Sequence, residues 1–198
     1  MTIVCLGDST TAGTPLFKSP IEAPPDGLGD DKSQFAYWIR QAHPDWTVLN
    51  CGVNGERSDE IAARFDRDVA AHRPDVVIVI AGVNDVYQGR PVEHVTSQLD
   101  SIYRRALGQG IRVVAGSIVP YNTATADQNA RMHAINDWIR STAEREAGIR
   151  WVDTRRAAAA PDNIDRLASS PDDLHPDVDG YRRMAEALLP ALAHDTHR

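Results

Sequence analysis

The stretch Ile3-Val4-Cys5-Leu6-Gly7-Asp8-Ser9-Thr10 stands near the start of the sequence and decides how the rest of it is interpreted. The apolar run from Ile3 to Leu6 is typical of a buried strand. Gly7 and Asp8 end that run, so Ser9 follows the strand directly. Ligands of open α/β sheets bind at the carboxyl ends of the strands. The stretch therefore predicts a serine at the mouth of a sheet, and the remaining sequence has to decide its role.

Strands and helices are predicted to alternate along the chain. Apolar runs indicate the strands Ile3–Leu6, Thr47–Leu49, Val76–Ala81, Arg112–Ser117 and Ile149–Val152. Helical periodicity indicates the helices Ser33–Ala42, Ser58–His72 (with Ser58 as N-cap), Val92–Leu107, Ala126–Ala147 and about Asp177–Ala193. This alternation predicts an α/β fold, a flavodoxin-like three-layer α/β/α sandwich with a five-stranded parallel sheet of order 2-1-3-4-5.

Two segments lack this periodicity. Thr14–Asp31 is rich in proline and glycine, and long irregular segments often act as lids or binding loops. Because it follows Ser9, we expect an insertion loop over the rim of the site, with a tolerated surface insertion as the equal alternative. Asp153–Asp173 is also irregular, and we expect a short helix at Ala157–Ala160. No linker divides the sequence, which predicts a single domain over residues 1–198.

The composition restricts the partners of the protein. The chain has 198 residues, a net charge of −7 and no cluster of lysine or arginine, so nucleic acid and anionic membrane surfaces are poor partners. No apolar run approaches the roughly 20 residues of a membrane span. The cysteines, Cys5 and Cys51, form no disulfide framework and are expected to be buried. The first strand leaves no room for a signal peptide, so we expect a cytoplasmic protein unless a leader has been trimmed.

Polar turns follow the first three predicted strands, and a fourth polar stretch precedes the last helix. The turns are Gly7-Asp8-Ser9, Asn50–Glu56 and Gly82-Val83-Asn84-Asp85, and the late stretch is Asp172-Asp173-Leu174-His175-Pro176. Because the carboxyl ends of parallel strands share one edge of the sheet, these stretches can reach the same rim. Asp8 and Asp85 are expected to shape their turns through hydrogen bonds to nearby backbone.

These stretches contain the parts of an acyl-transfer site. A nucleophilic serine needs a base, and the base needs a group that orients it. His175 is the candidate base of Ser9, and Asp172 or Asp173 is the candidate orienting acid. Hydrogen-bond donors must also face the developing oxyanion. The candidate donors are the side-chain amide of Asn84, the backbone N–H of Ser9 and the backbone N–H of Gly55 or Gly52; a side chain at Gly55 would obstruct the substrate.

In this combination the sequence resembles the SGNH hydrolases, the GDSL-type lipases and esterases. The resemblance rests on four blocks in register: Gly7-Asp8-Ser9, a glycine after the second strand, Gly82-x-Asn84-Asp85 and Asp172-x-x-His175. Together they span nearly the whole chain. The resemblance implies the flavodoxin-like sheet, no cofactor, Ser9 as nucleophile, His175 as base with Asp172 as partner, and an oxyanion hole of Ser9, Gly55 and Asn84. Its spacing favours Gly55 over Gly52 and Asp172 over Asp173.

The predicted function is a serine esterase or acylhydrolase that cleaves a small carboxylic ester with a short acyl chain through an acyl-enzyme. A carbohydrate O-acetylesterase, a lysophospholipase and a thioesterase are alternatives on the same core. A flavodoxin-like electron-transfer protein that binds FMN phosphate at Asp8–Thr14 is an alternative of another class, but it leaves His175 and Asp172 idle. Tyr87, Tyr121 and Asn122 fall in loops at the predicted rim and are predicted to contact the substrate. The sequence does not indicate the oligomeric state.

No metal site is predicted. His43, His72, His94 and His133 lie outside the four blocks and are predicted to be solvated, without partners. His194, Asp195 and His197 could bind a metal, but a frayed chain end is the expected explanation of this cluster.

Overall fold

A parallel sheet of five strands forms the centre of the protein, seen here in a computed structural model that describes residues 1–193. The strands, in chain order, are β1 (Thr2–Gly7), β2 (Phe17–Lys18), β3 (Leu28–Gly29), β4 (Thr47–Gly52), β5 (Val76–Ile80), β6 (Arg112–Gly116), β7 (Ile149–Val152), β8 (Ala159–Ala160) and β9 (Asn163–Leu167). The sheet has the order β4-β1-β5-β6-β7, and all of its neighbouring pairs are parallel. The predicted order 2-1-3-4-5 is confirmed. The terminal cluster of His194, Asp195 and His197 lies outside the described residues.

The sheet is buried on both faces, as the apolar runs in its strands predict. Successive side chains of a strand point to opposite faces. In β1, Val4 and Leu6 therefore pack in the core on one face, while Ile3 and Cys5 pack in the core on the other. Residues Ile3–Gly7 of β1 are buried as a result.

Helices cover both faces and complete the predicted three layers. They are α1 (Ser9–Ala12), α2 (Phe35–Ala42), α3 (Ser58–Ala63), α4 (Phe65–Asp68), α5 (Val83–Tyr87), α6 (Val92–Gly108), α7 (Ala126–Arg145), α8 (Thr154–Ala158) and α9 (Val178–Leu192). Helices α3, α4, α6 and α7 pack on the face of Val4, whereas α2, α8 and α9 pack on the face of Ile3. Short 3₁₀ turns occupy Asp31–Ser33 and Ala70–His72.

The predicted helix Ser58–His72 is interrupted in the structure. Arg64 lies between α3 and α4, and its guanidinium donates to the carbonyl oxygens of Gly7 and Cys51 at 2.7 Å each. Ser58 is the first residue of α3 rather than its N-cap, and it donates both its N–H and its hydroxyl to Asp85. Tertiary hydrogen bonds thus take precedence over helical periodicity in this segment. The helix expected at Ala157–Ala160 also ends early, because Ala159 pairs with β9.

The segment Thr14–Asp31 includes the antiparallel pair β2–β3 and packs along β4, the outer strand of the sheet. The Ser19 hydroxyl donates to the Gly52 carbonyl at 2.6 Å, and the Glu22 carboxylate accepts from the Asn54 N–H at 3.1 Å. Together with β4 and α2, the segment lines a groove of about 380 Å³. It therefore supports the end of β4 from the outside of the sheet.

Both cysteines are buried and unpaired. Burial, followed by the nearby charge of Asp68, raises the pKa of the Cys51 thiol to about 12, so this thiol stays protonated. Within residues 1–193, no helix combines the length and apolar character that a membrane crossing requires.

Candidate active site

Ser9 lies where β1 ends and begins the short helix α1. The turn is held by Asp8, whose carboxylate accepts from the Thr10 N–H at 2.9 Å as the N-cap of α1. A Cβ at Gly7 would overlap the Thr11 hydroxyl and the Ile80 carbonyl, so only glycine allows α1 to pack this closely against the sheet. Ser9 is 4% exposed and has little freedom to move.

His175 connects Ser9 to Asp172. Its Nε2 lies 2.9 Å from the Ser9 Oγ, and its Nδ1 lies 2.7 Å from an Asp172 carboxylate oxygen. An ionised carboxylate only accepts hydrogen bonds, so Nδ1 carries the proton of the neutral ring and Nε2 is free to accept from the Ser9 hydroxyl. This tautomer is the one that a general base needs.

Asp172 remains ionised in this arrangement. Partial burial by itself would raise its pKa, but hydrogen bonds from the His175 side chain and from the N–H groups of His175 and Leu174 hold the pKa below its ordinary value. Asp173, the alternative acid, has a different partner, because its carboxylate accepts from the Asn122 amide at 3.0 Å. The structure therefore pairs Asp172, and not Asp173, with His175.

Asn84 is placed in the first turn of α5, beyond the end of β5. Its side-chain amide donates one hydrogen bond to the Glu56 carbonyl at 2.9 Å. An amide nitrogen has two N–H groups. The second makes no hydrogen bond within residues 1–193, and Asn84 lines the same cavity as Ser9. This side chain therefore has a donor available to a ligand.

The two candidate glycines serve different purposes. A Cβ at Gly52 would overlap the backbone of Ala12, so Gly52 is required for packing between β4 and α1. Gly55 has a φ of 80° in the loop of residues 53–57, hereafter the β4–α3 loop, and a Cβ there would meet nothing within 4 Å. The positive φ by itself favours glycine at position 55, and no protein atom would oppose a side chain there. Its neighbour Asn54 lines the cavity at Ser9, whereas Gly55 does not.

The cavity at Ser9 has a volume of about 150 Å³. It is lined by Ser9, Thr10, Asn54, Val83, Asn84, Tyr87, Tyr121, Leu174 and His175. Two of the three predicted substrate contacts, Tyr87 and Tyr121, are in this set, with ring centroids 6.1 Å apart in an edge-to-face arrangement. Asn122 is not, and neither is any residue of Thr14–Asp31. That segment lies beside the cavity, against β4, because Ser19 and Glu22 bind the end of this strand.

Known proteins resemble this chain in sequence and in fold. The model of the GDSL-like lipase/acylhydrolase family matches residues 5–183. The chain belongs to this family. The resemblance drawn from the four sequence blocks is thereby confirmed, and with it the assignment to a family of enzymes that hydrolyse ester bonds.

The sequence identity between this chain and individual relatives is low. The chain is 31% identical over 121 residues to an arylesterase of Vibrio mimicus, an alignment that covers 61% of this chain and 56% of that protein. It is 27% identical over 156 residues to an acetylxylan esterase of Geobacillus stearothermophilus, covering 72% and 70%. A solved member of the lipolytic protein G-D-S-L family from Veillonella parvula has the same fold, with a TM-score of 0.80 at 20% identity and coverage of 97% and 98%.

Two charged residues of this GDSL-family protein support the site in ways that the sequence analysis missed. Arg64 is 7% exposed and, besides its two carbonyl partners, pairs with Glu56 and Asp68 at 2.5 and 2.6 Å. Asp85 is fully buried and accepts from the N–H and the hydroxyl of Ser58 at 2.8 Å to each carboxylate oxygen, so its backbone partner lies 27 positions away and not in its own turn as predicted. The only sequence signal for the role of Arg64 is its charge, because it directly precedes the apolar Phe65.

The prediction that the histidines have no partners is wrong for two of them. His133 lies 2.6 Å from Asp165, and His43 stacks on Trp46 with ring centroids 3.7 Å apart.

A third histidine, His94, lies near Asp59 and Asp85, and together these side chains could in principle surround a metal ion. Each Asp85 oxygen already accepts a hydrogen bond from Ser58, and Asp59 pairs with Arg57 at 3.1 Å. The carboxylates of the cluster are therefore committed to protein partners.

Proposed function

We propose that this protein is a serine esterase that cleaves a small carboxylic ester with a short acyl chain through an acyl-enzyme. The observation that carries the proposal is the continuous series of hydrogen bonds from Asp172 through His175 to Ser9, ending at a cavity that Asn84 also lines. Family membership supports the same reaction class.

In the first half-reaction, the Ser9 Oγ attacks the carbonyl carbon of the ester while the His175 Nε2 takes the hydroxyl proton. The carbonyl oxygen becomes an oxyanion, for which the free Asn84 N–H and the backbone N–H groups of Gly55 and Ser9 are the proposed donors. His175 then gives its proton to the leaving oxygen, and the alcohol departs. The acyl group remains on Ser9.

In the second half-reaction, His175 takes a proton from water, and the resulting hydroxide attacks the acyl carbon. The Ser9 Oγ leaves and recovers its proton from His175, so that a carboxylic acid is released and the enzyme is restored. Asp172 accepts a hydrogen bond from the Nδ1–H of His175 in both halves, stays ionised, and stabilises the imidazolium form of His175 in each transition state. Its lowered pKa keeps it available as an acceptor.

Cavity size supports a short acyl chain. Pockets for drug-sized ligands measure roughly 300–1,000 Å³, whereas the cavity at Ser9 measures about 150 Å³. Its apolar lining includes Val83 and Tyr121, which suit an acetyl-sized group. A lysophospholipase or a long-chain thioesterase would need a longer apolar channel. The flavodoxin-like alternative is disfavoured because residues 9–12 are buried in α1, which leaves no open loop for a phosphate.

A carbohydrate O-acetylesterase is the second candidate. Tyr87 is 62% exposed at the edge of the cavity, where its ring can stack on a sugar. One relative is named as an acetylxylan esterase. Rates on acetylated xylooligosaccharides and on phenyl acetate separate the two candidates, because only a carbohydrate esterase favours the former in kcat/KM. A cytoplasmic location and the absence of a nucleic-acid partner stay predictions.

The central test is replacement of the nucleophile. Ser9→Ala should lower kcat on p-nitrophenyl acetate by about 10⁴- to 10⁶-fold and abolish labelling by a fluorophosphonate probe, as read by peptide mass. Ser101→Ala, at an exposed position on α6, is the matched control and should leave both unchanged. Labelling that persists in Ser9→Ala, or equal activity of a folded variant, would contradict the proposal.

A further inference from the structure

We propose that Asn122 is a positioning residue that holds His175 within hydrogen-bonding distance of Ser9, an inference that rests on the proposed function. His175 and Asp172 both lie on residues 168–177, hereafter the acid–base loop, which contains no helix or strand. Asp172, Asp173 and Leu174 are exposed. The loop therefore needs contacts with the rest of the protein to keep His175 in place.

Contacts inside the acid–base loop determine its shape. One Asp172 carboxylate oxygen accepts from the N–H groups of Leu174 and His175 at 3.0 and 2.9 Å. The Ser170 hydroxyl donates to the His175 carbonyl at 2.7 Å. These bonds couple Asp172 to His175, but they leave the position of the loop relative to Ser9 undetermined.

Asn122 supplies the missing connection at the middle of the loop. Its N–H donates to the Asp173 carbonyl at 2.8 Å, and its side-chain amide donates to the Asp173 carboxylate at 3.0 Å. Its side-chain oxygen accepts from the Leu167 N–H, the last residue of β9, at 2.9 Å. Asn122 follows the buried residues 117–121 beyond β6. A single side chain thus joins the acid–base loop to the end of the central sheet and to β9.

The backbone at Asp173 shows why this connection is needed. Asp173 has a φ of 62°, a left-handed backbone conformation that is unfavourable for residues other than glycine. Aspartate and asparagine tolerate this region better than most residues. The two hydrogen bonds from Asn122 hold Asp173 in this conformation, two residues before His175.

The consequence for catalysis follows from geometry. A misplacement of about 1 Å at a reacting group can lower the rate by about 10²-fold. Asn122 does not line the cavity, so its loss should displace His175 without removing a substrate contact. The expected signature is a lower kcat at unchanged KM.

The test exchanges donor and acceptor. Asn122→Asp places two carboxylates opposite each other and should lower kcat on p-nitrophenyl acetate by about 10- to 100-fold, with KM within about twofold. Asp173→Asn keeps an acceptor oxygen and a residue that tolerates positive φ, so it is the matched control and should retain wild-type kcat. The double variant reverses the hydrogen bond, with the amide at position 173 donating to the carboxylate at position 122. It should recover most of the lost kcat.

Amide hydrogen exchange provides a readout that does not depend on activity. The N–H groups of Leu174 and His175 should exchange faster in Asn122→Asp and return to the wild-type rate in the double variant. If Asn122→Asp does not fold, Asp173→Ala removes the side-chain bond from the other end and should give the same fall in kcat.

Three results would overturn the inference: an unchanged kcat in Asn122→Asp, a loss that the double variant does not recover, or a higher KM at unchanged kcat. The last would make Asn122 a substrate contact. If the wild-type protein neither hydrolyses esters nor reacts with the fluorophosphonate, the proposed function fails, while hydrogen exchange still decides whether Asn122 holds the loop.

Discussion

The two loops that approach Ser9 are held in contrasting ways. The β4–α3 loop, which contains Gly55, is tied to the core by charged groups. The buried guanidinium of Arg64 binds Glu56 of this loop together with the carbonyls of Gly7 and Cys51 near the ends of β1 and β4. Buried Asp85 binds Ser58, which directly follows the loop. The acid–base loop is largely exposed and is held by uncharged donors, chiefly Asn122.

This difference predicts that changes at one loop lower stability, whereas changes at the other lower activity. The groups that hold the β4–α3 loop also join neighbouring strands, so a change there should weaken the whole fold. The acid–base loop lies outside the sheet, and a change in its contacts can displace His175 while the core stays intact. Each prediction below tests one side of this contrast.

The largest expected effect is on stability, at Arg64. Arg64→Met removes a buried charge and leaves Asp68, which is 3% exposed, without its buried partner. Breaking a buried pair in this way costs about 3–5 kcal/mol in the free energy of unfolding. Urea denaturation measures it.

Arg67→Met is the matched control, because Arg67 also pairs with Asp68 but is 66% exposed. An exposed pair contributes about 0–1 kcal/mol. Equal losses in the two variants would show that the β4–α3 loop is not held through the core, and the contrast would fail.

Asn84→Ala should separate chemistry from stability within the same region. Loss of an oxyanion donor lowers kcat by about 10²- to 10³-fold. The hydrogen bond to Glu56 that disappears contributes only about 1 kcal/mol to the free energy of unfolding. Steady-state kinetics and urea denaturation give both numbers, with Gln88→Ala, just beyond α5, as control. A stability loss as large as that of Arg64→Met would assign Asn84 a structural role instead.

A last pair of predictions distinguishes two carboxyl groups near Ser9 by the pH dependence of stability. Burial raises the pKa of Asp8 to about 7. Between about pH 4 and 7 the folded protein keeps a proton that the unfolded chain has released, so the free energy of unfolding falls as pH rises. Asp8→Asn, whose amide oxygen can still cap α1, should remove this fall.

Asp172→Asn is the opposite control. The pKa of Asp172 is lowered, so its contribution to stability is present above about pH 4 and is lost as pH falls below that value. Denaturation of the wild type and both variants from pH 3 to 8 should give difference curves of opposite sign. Curves of the same sign would contradict the environments assigned to the two carboxyl groups.

The sequence by itself determined the sheet, its order and the residues near Ser9 that face a common rim. These features follow from local patterns: apolar runs that must be buried, polar turns at strand ends, and an aspartate three residues before His175, close enough for one side chain to reach the other. The family blocks depend on the same local spacing.

Tertiary structure alone decided which groups hold the site in place. Arg64 reaches Gly7 across 57 positions of sequence, and Asn122 reaches Asp173 across 51. Whether Asn122 faces the cavity or a neighbouring loop, and whether Thr14–Asp31 covers Ser9 or lies along β4, depends on such long-range hydrogen bonds. Composition and periodicity indicate which residues must be buried. They do not indicate which buried polar groups form hydrogen bonds with each other, because those pairs form only when distant segments pack together.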